Sequence, residues 1–183
     1  IKLLGVARKT PEGIEVRVHP MLIPERHPLA SVNDSFNAVF VHGDAVDDAM
    51  FYGRGAGELP TASAVVGDIF DIARNLQYEC CGRISCTCYK QLPIKAMDDI
   101  CSKYFLRMLV ENEPGVLAAV TAVFGDRKVS IEQIIQKKKI GELAEIVVIT
   151  EKVKERHVKD SLKAFEEMTA VKKVSSVIRV YGE

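Results

Sequence analysis

Three glycines in five residues, Gly53-Arg-Gly-Ala-Gly57, run into the apolar stretch that begins Pro60-Thr-Ala-Ser-Ala64. Without a Cβ at Gly53, Gly55 and Gly57 the backbone can take φ > 0 and approach a bound molecule closely, while a helix starting just beyond offers unpaired N–H groups. The same residues also serve a tight strand-to-helix connection. Five cysteines, Cys80, Cys81, Cys86, Cys88 and Cys101, are the other reactive set. Their Cys-Cys-x4-Cys-x-Cys spacing lacks the paired C-x2-C knuckles of a zinc ribbon, and an odd thiol count does not complete a disulfide framework. Unbonded thiols in a linker, with no metal, are expected. His19 and His27 have no acid or cysteine at metal-ligand spacing, so capping or loop roles are expected of them.

The elements that must position these groups follow from periodicity. Ile14, Val16 and Val18 alternate with Glu15, Arg17 and His19, which predicts a strand with one buried face after a turn at Pro11-Glu-Gly13. Asn37-Ala-Val-Phe-Val41 and Ala49-Met-Phe-Tyr52 flank His42-Gly-Asp44 and read as a hairpin. Ala62, Val65, Val66, Ile69, Ala73 and Leu76 recur at three- and four-residue steps, predicting a helix over 61–76 capped by Thr61 or Ser63, with Pro60 at its start. From Tyr104 the pattern changes. A strand through Phe105, Met108 and Val110 meets the turn Glu111-Asn-Glu-Pro-Gly115. A helix through Val116, Leu117, Val120, Val123 and Phe124 follows. Residues 129–136 and 143–150 form a hairpin around a polar loop at 137–142. Val158, Leu162, Phe165 and Met168 mark a second helix, and residues 174–180 a last strand. The order βαββαβ in about eighty residues is a ferredoxin-like unit, two helices on one face of an antiparallel sheet. The fold class is therefore α+β, the end of a mixed α/β domain over 1–79, a cysteine-containing linker over 80–103 and the ferredoxin-like unit over 104–183.

With 183 residues and 25 basic against 25 acidic side chains, nothing in the charge calls for nucleic acid. The short runs Lys137-Lys-Lys139 and Lys172-Lys173 read as solvated hairpin tips. No apolar run approaches the ~20 residues needed to cross a bilayer, so no membrane partner is expected.

Ile14-Glu-Val-Arg-Val-His-Pro20, His27-Pro-Leu-Ala30, Phe36-Asn-Ala-Val-Phe-Val41 and Tyr52-Gly-Arg-Gly-Ala-Gly57 with Pro60-Thr-Ala-Ser-Ala-Val-Val-Gly-Asp68 together resemble homoserine dehydrogenase. The resemblance spans nearly the whole chain except the cysteine-rich segment. It implies an NAD(P)-dependent enzyme interconverting L-homoserine and L-aspartate 4-semialdehyde in threonine and methionine biosynthesis. It also implies that Gly55, Ala56 and Gly57 lie beside the nicotinamide end of the cofactor. No strand–GxGxxG–helix unit stands near the start, the first residues open mid-strand, and the family's catalytic lysine lies upstream of the matching segment. A C-terminal portion is therefore expected, with no catalytic residue of its own, no tightly bound cofactor and no activity alone. Its helix over 61–76 should be left apolar and uncovered, and so should pair with another copy or rearrange. A cytoplasmic location follows from the family and the thiols.

Val110-Glu-Asn-Glu-Pro-Gly-Val-Leu117 at the first strand–helix turn makes the second unit look like an ACT domain. That resemblance implies an amino-acid effector, threonine by pathway logic. Asn112 would hold its polar groups, the N–H groups from Gly115 through Val116 to Leu117 would receive its carboxylate, and Ser130 would be the partner position on the second strand. Relatives that bind amino acids often carry asparagine where this chain has Ser130. Edge-to-edge pairing into a homo-oligomer is implied as well. A plain dimerisation domain that binds nothing is the other reading of this unit, and a stand-alone amino-acid-binding regulatory or dimerisation module without enzymatic activity is the other reading of the chain.

Overall fold

The computed structural model describes residues 1–80 and 90–182, with backbone alone for 137–140. In chain order the elements are β1 (Lys2–Thr10), β2 (Gly13–Leu22), β3 (Phe36–Gly43), β4 (Asp47–Arg54), α1 (Glu58–Gln77), β5 (Cys101–Glu111), α2 (Val116–Asp126), β6 (Ile131–Ile140), β7 (Leu143–Thr150), β8 (Val153–Lys154), α3 (Glu155–Glu167) and β9 (Val171–Val180). They fall into two compact units, one of residues 1–24 with 92–183, the other of residues 25–91.

In the first unit the sheet runs β1-β2-β9-β5-β7-β6, with β8 paired to β5. The last four strands carry the ferredoxin-like order that the periodicity predicted. β5 sits at the centre because Tyr104, Leu106, Met108 and Val110 alternate onto one face, where they meet Ile146 and Val148 of β7 and Val120, Phe124, Val158 and Phe165 of the two helices. The Phe124 and Phe165 rings meet edge to face at 5.0 Å. Gly141 takes φ 63° in a two-residue turn between Ile140 and Leu143. The strand thus continues through the lysine run at 137–139, where a polar loop over 137–142 was expected, because glycine at the first turn position suits the twist of a tight hairpin.

The front hairpin departs from the expected boundaries. β2 joins β9 in parallel through Met21↔Arg179 and Leu22↔Val180, and Tyr181 N donates to Leu22 O at 2.7 Å. Residues 1–24 therefore extend the C-terminal sheet instead of ending a separate unit at 79. Segment 92–100, expected to be linker, lies against β2: Ile14 N donates to Pro93 O at 2.8 Å, Lys95 N donates to Ile14 O at 2.9 Å, and Ile100 is buried. The covered face of β2 is the polar one. Val16 and Val18 are 51% and 70% exposed, while Glu15 is 2% exposed, His19 is buried and the Arg17 side chain is 8% exposed. Met21 fixes this register, since it falls on the helix-covered face beside Arg179 and, two by two, carries His19, Arg17 and Glu15 with it.

In the second unit β3 and β4 form the expected hairpin, paired from Phe36↔Arg54 to Gly43↔Asp47. The His27 ring lies tilted against Phe40, centroids 5.0 Å apart, and its Nδ1 accepts from Leu29 N at 3.1 Å, capping a short 3-10 turn over Pro28–Ser31. α1 begins three residues earlier than predicted. Its N-cap is Gly57, not Thr61 or Ser63, and Pro60 falls within the first turn, where its missing N–H would have no partner. No residue of α1 is buried.

Candidate functional sites

The glycine turn is built by the end of the β3–β4 hairpin. The Tyr52 ring lies flat on Phe36 at 4.9 Å, and the Arg54 guanidinium sits 4.8 Å from the centroid of the same Phe36 ring, while its Nη1 donates to Ser35 Oγ at 3.2 Å. Gly55 N then donates to Ser35 O at 3.1 Å, which ends the strand. Gly57 takes φ 127°, a value strained for any side chain, and turns the chain into α1. A shallow groove lies there, lined by Ala56, Gly57, Glu58, Thr61, Ala62, Val65 and Val66. The turn thus brings Gly55, Ala56 and Gly57 together at a helix N-terminus with no side-chain cap. Glu58 in the first turn opposes an anion there. Bare backbone donors beside apolar Ala62, Val65 and Val66 fit a flat, neutral, amide-bearing ring better than a phosphate. At Gly55 an added Cβ would overlap Nδ2 of Asn37, the far end of a flexible side chain.

In the first unit, the loop after β5 assembles the second candidate site. Asn112 N donates to Glu142 O at 3.1 Å, and Asn112 Oδ1 accepts from Gln136 Nε2 at 3.1 Å, a partner the sequence did not single out. Gly115 takes φ 89° and caps α2 with no side chain above it. Val116 N donates to Glu113 O at 3.3 Å, which leaves the N–H groups of Leu117 and Ala118, in the first turn, without intrahelical acceptors. With no acidic residue in that turn, it suits a carboxylate. Ser130 is exposed just before β6, and its carbonyl accepts from Glu151 N at 2.9 Å. No hydrogen bond among the described residues links the Ser130 side chain to the Asn112 turn.

A buried polar seam between β2, β5, β9 and α3 had no counterpart in the sequence reading. Glu155, in the first turn of α3, accepts from Tyr104 Oη at 2.5 Å, from Arg179 Nε at 3.1 Å and from Arg179 Nη2 at 2.5 Å. Burial works against its ionisation, but the hydrogen bonds from Arg179 and Tyr104 outweigh burial and hold the carboxyl below its usual range. Burial, with the Glu155 carboxylate alongside, pushes the Tyr104 phenol up. On β2, Glu15 takes Arg8 at 2.7 Å, Lys95 at 3.2 Å and Arg17 at 3.6 Å. His19 is driven down to about 4, by burial first and then by Arg179 and Arg17.

Cys80 and Cys101 are free thiols, whereas Cys81, Cys86 and Cys88 lie outside the described residues. Among the described residues no cluster of three or more His, Cys, Asp or Glu could hold a metal, and no helix is long and apolar enough to cross a membrane.

Residues 1–70 match the homoserine dehydrogenase family and residues 104–169 match the ACT domain. A homoserine dehydrogenase of Neisseria gonorrhoeae is 45% identical over 98% of this chain and 43% of its own length. One from Bacillus subtilis is 40% identical over 100% of the chain and 42% of its own length. The crystal structure of a homoserine dehydrogenase from Thiobacillus denitrificans superposes with a TM-score of 0.87 at 38% identity, covering 98% of this chain and 42% of that one. The chain spans about two fifths of the length of these relatives.

Proposed function

We propose that the chain is part of a homoserine dehydrogenase and that the whole protein interconverts L-homoserine and L-aspartate 4-semialdehyde with NAD(P). The observation that carries the reading is the Gly57 turn, whose φ of 127° opens bare backbone onto a groove along α1. When bound, the cofactor supplies the hydride chemistry. The role of this chain is to seat the nicotinamide end against Gly55, Ala56 and Gly57. No residue of the chain is assigned to proton transfer.

The ACT unit is read as the sensor of an amino acid, threonine, the end product of the pathway. Asn112 holds the effector's polar groups, held in turn by Gln136, while the turn at Gly115 opens the first-turn N–H groups of Leu117 and Ala118 to its carboxylate, the Val116 N–H being taken by Glu113 O. Ser130 reaches less far than the asparagine of amino-acid-binding relatives, which lowers affinity. Homo-oligomers form through the ACT unit and the uncovered face of α1, in the cytoplasm.

Gly57→Val in the whole protein tests the cofactor reading. Valine disfavours φ 127°, so the Kd for NADPH should rise at least tenfold with the threonine affinity unchanged. An unchanged Kd reduces the turn to a connection. Calorimetric titration with L-threonine, lost on Asn112→Ala and absent with L-lysine, tests the sensor; an L-threonine affinity that survives Asn112→Ala places the effector elsewhere.

A further inference from the structure

Three buried nitrogens of the polar seam find no hydrogen-bond partner among the described residues: Nε and Nη1 of Arg17 and Nε2 of His19. Arg17 and His19 stand two residues apart on β2, each only 8% exposed, and share its covered face with Glu15. Glu15 is already engaged. Its Oε2 accepts from Arg8 Nε at 3.2 Å and Arg8 Nη2 at 2.7 Å, and its Oε1 accepts from Lys95 at 3.2 Å, whereas Arg17 Nη1 stops 3.6 Å away, beyond hydrogen-bond reach. Glu155, the other carboxylate of the seam, is taken by Tyr104 and Arg179. Three cations therefore converge on one buried carboxylate, and Arg17 is the one with no hydrogen bond to it. Burial weighs against the Arg17 charge more than Glu15 supports it. Arg179 and Arg17 both act on His19 as positive charges, so the surplus reaches the imidazole as well.

We propose that Arg17 and His19 hold one small monovalent anion, chloride, inside the seam. The guanidinium donates from Nε and the imidazole from Nε2 in its Nε2–H tautomer; two residues along a strand span about 6.6 Å, a gap that one ion between the side-chain tips closes. A water molecule accepts from the same donors but leaves the positive surplus unpaired, and an unpaired buried charge is the costlier defect. The donor atoms are closed to solvent, which limits the guest to about the size of a water and excludes a carboxylate or a phosphate ester. As a counterion buried in the sheet, the anion acts on stability and needs neither the glycine turn nor the Asn112 turn.

The test is thermal melting of the whole protein at neutral pH and constant ionic strength, with chloride exchanged for gluconate, an anion too large for the site. Between about 5 mM and about 500 mM chloride the melting temperature of the wild type should rise by at least about 2 °C more than that of Arg17→Met, because an ion that binds only the folded chain stabilises it by mass action. The variant keeps Arg8 and Lys95 on Glu15, so in gluconate it should melt no lower than the wild type. Bromide gives a second reading that needs no variant. It occupies chloride sites and scatters anomalously, so crystals of the whole wild-type protein soaked in bromide should show an anomalous peak between Arg17 and His19. Equal chloride responses in wild type and variant overturn the proposal, and so does a bromide map with peaks only at exposed cations, an adventitious ion only. Should Arg17→Met fail to fold, the bromide map alone decides.

Discussion

Glu155→Gln should cost the first unit about 3 kcal/mol. The glutamate is 8% exposed and carries the only anion that meets Arg179, whose side chain is 20% exposed among the described residues. Glutamine is isosteric and can still accept from Tyr104, but it removes the charge and turns an amide N–H toward a guanidinium that has only donors to offer. Breaking a buried pair from one side costs about 3–5 kcal/mol, and the retained Tyr104 bond places the loss at the lower end. With roughly 2 kcal/mol per molar urea, the midpoint should fall by about 1.5 M, followed by far-UV circular dichroism at pH 7. Because the folded carboxyl titrates below its unfolded value, the stabilisation is complete above that unfolded value and fades as pH falls through the folded one. Wild type and variant should therefore converge in acid. The double change Glu155→Leu with Arg179→Met should lose less than Glu155→Gln alone, since no charge is then left unpaired. A loss under about 1 kcal/mol for Glu155→Gln, or a double variant worse than the single one, would refute the account of the seam.

Two further outcomes follow from the same unit. His19 binds a proton in the unfolded chain near its usual 6.5 but resists it in the fold down to about 4, so stability should be greatest above pH 6.5 and decline toward pH 4 by on the order of 3 kcal/mol; His19→Asn should flatten urea midpoints between pH 4.5 and 6.5, and an unflattened profile would assign the slope to other groups. Gly13 takes φ 141°, and a Cβ there would overlap Pro93 O, the acceptor of Ile14 N; Gly13→Ala should lose about 2–3 kcal/mol in the same assay, and a loss below 0.5 kcal/mol would mean that the 92–95 segment shifts without cost.

What the sequence made legible was local and periodic. The apolar alternation of β5, the helical spacing of α2 and α3 and the glycine turns each carry their own signal, and the ferredoxin-like order follows from them. The face of β2 did not, because alternation separates two faces without saying which one is covered. Here the polar face is inside, and the partners of Glu155 are ones that only the fold supplies: it lies 24 residues before Arg179 and 51 after Tyr104. The parallel pairing of β2 with β9 is equally non-local and moved the unit boundary. At the glycine turn the motif was readable but the contact of Asn37 with Gly55 was not, because it depends on hairpin register.

The uncovered surfaces bear on the function as much as the sites do. Along α1, Leu59, Val65, Val66, Ile69, Phe70, Ile72 and Leu76 are all exposed, and so are Leu3, Val16 and Val18 on the outer face of β1 and β2. A helix of this length gains little from propensity alone, so most of its stability must come from whatever covers its apolar stripe. Burying seven such side chains is worth on the order of 10 kcal/mol, far more than the few kcal/mol a cofactor contact at the glycine turn requires. Gly57 is both the N-cap of that helix and the floor of the candidate site. Cover on α1 and affinity at the turn are therefore linked quantities: a partner surface that fixes the helix also fixes the direction of its free N–H groups, and a ligand held by those groups favours the covered state in equal measure.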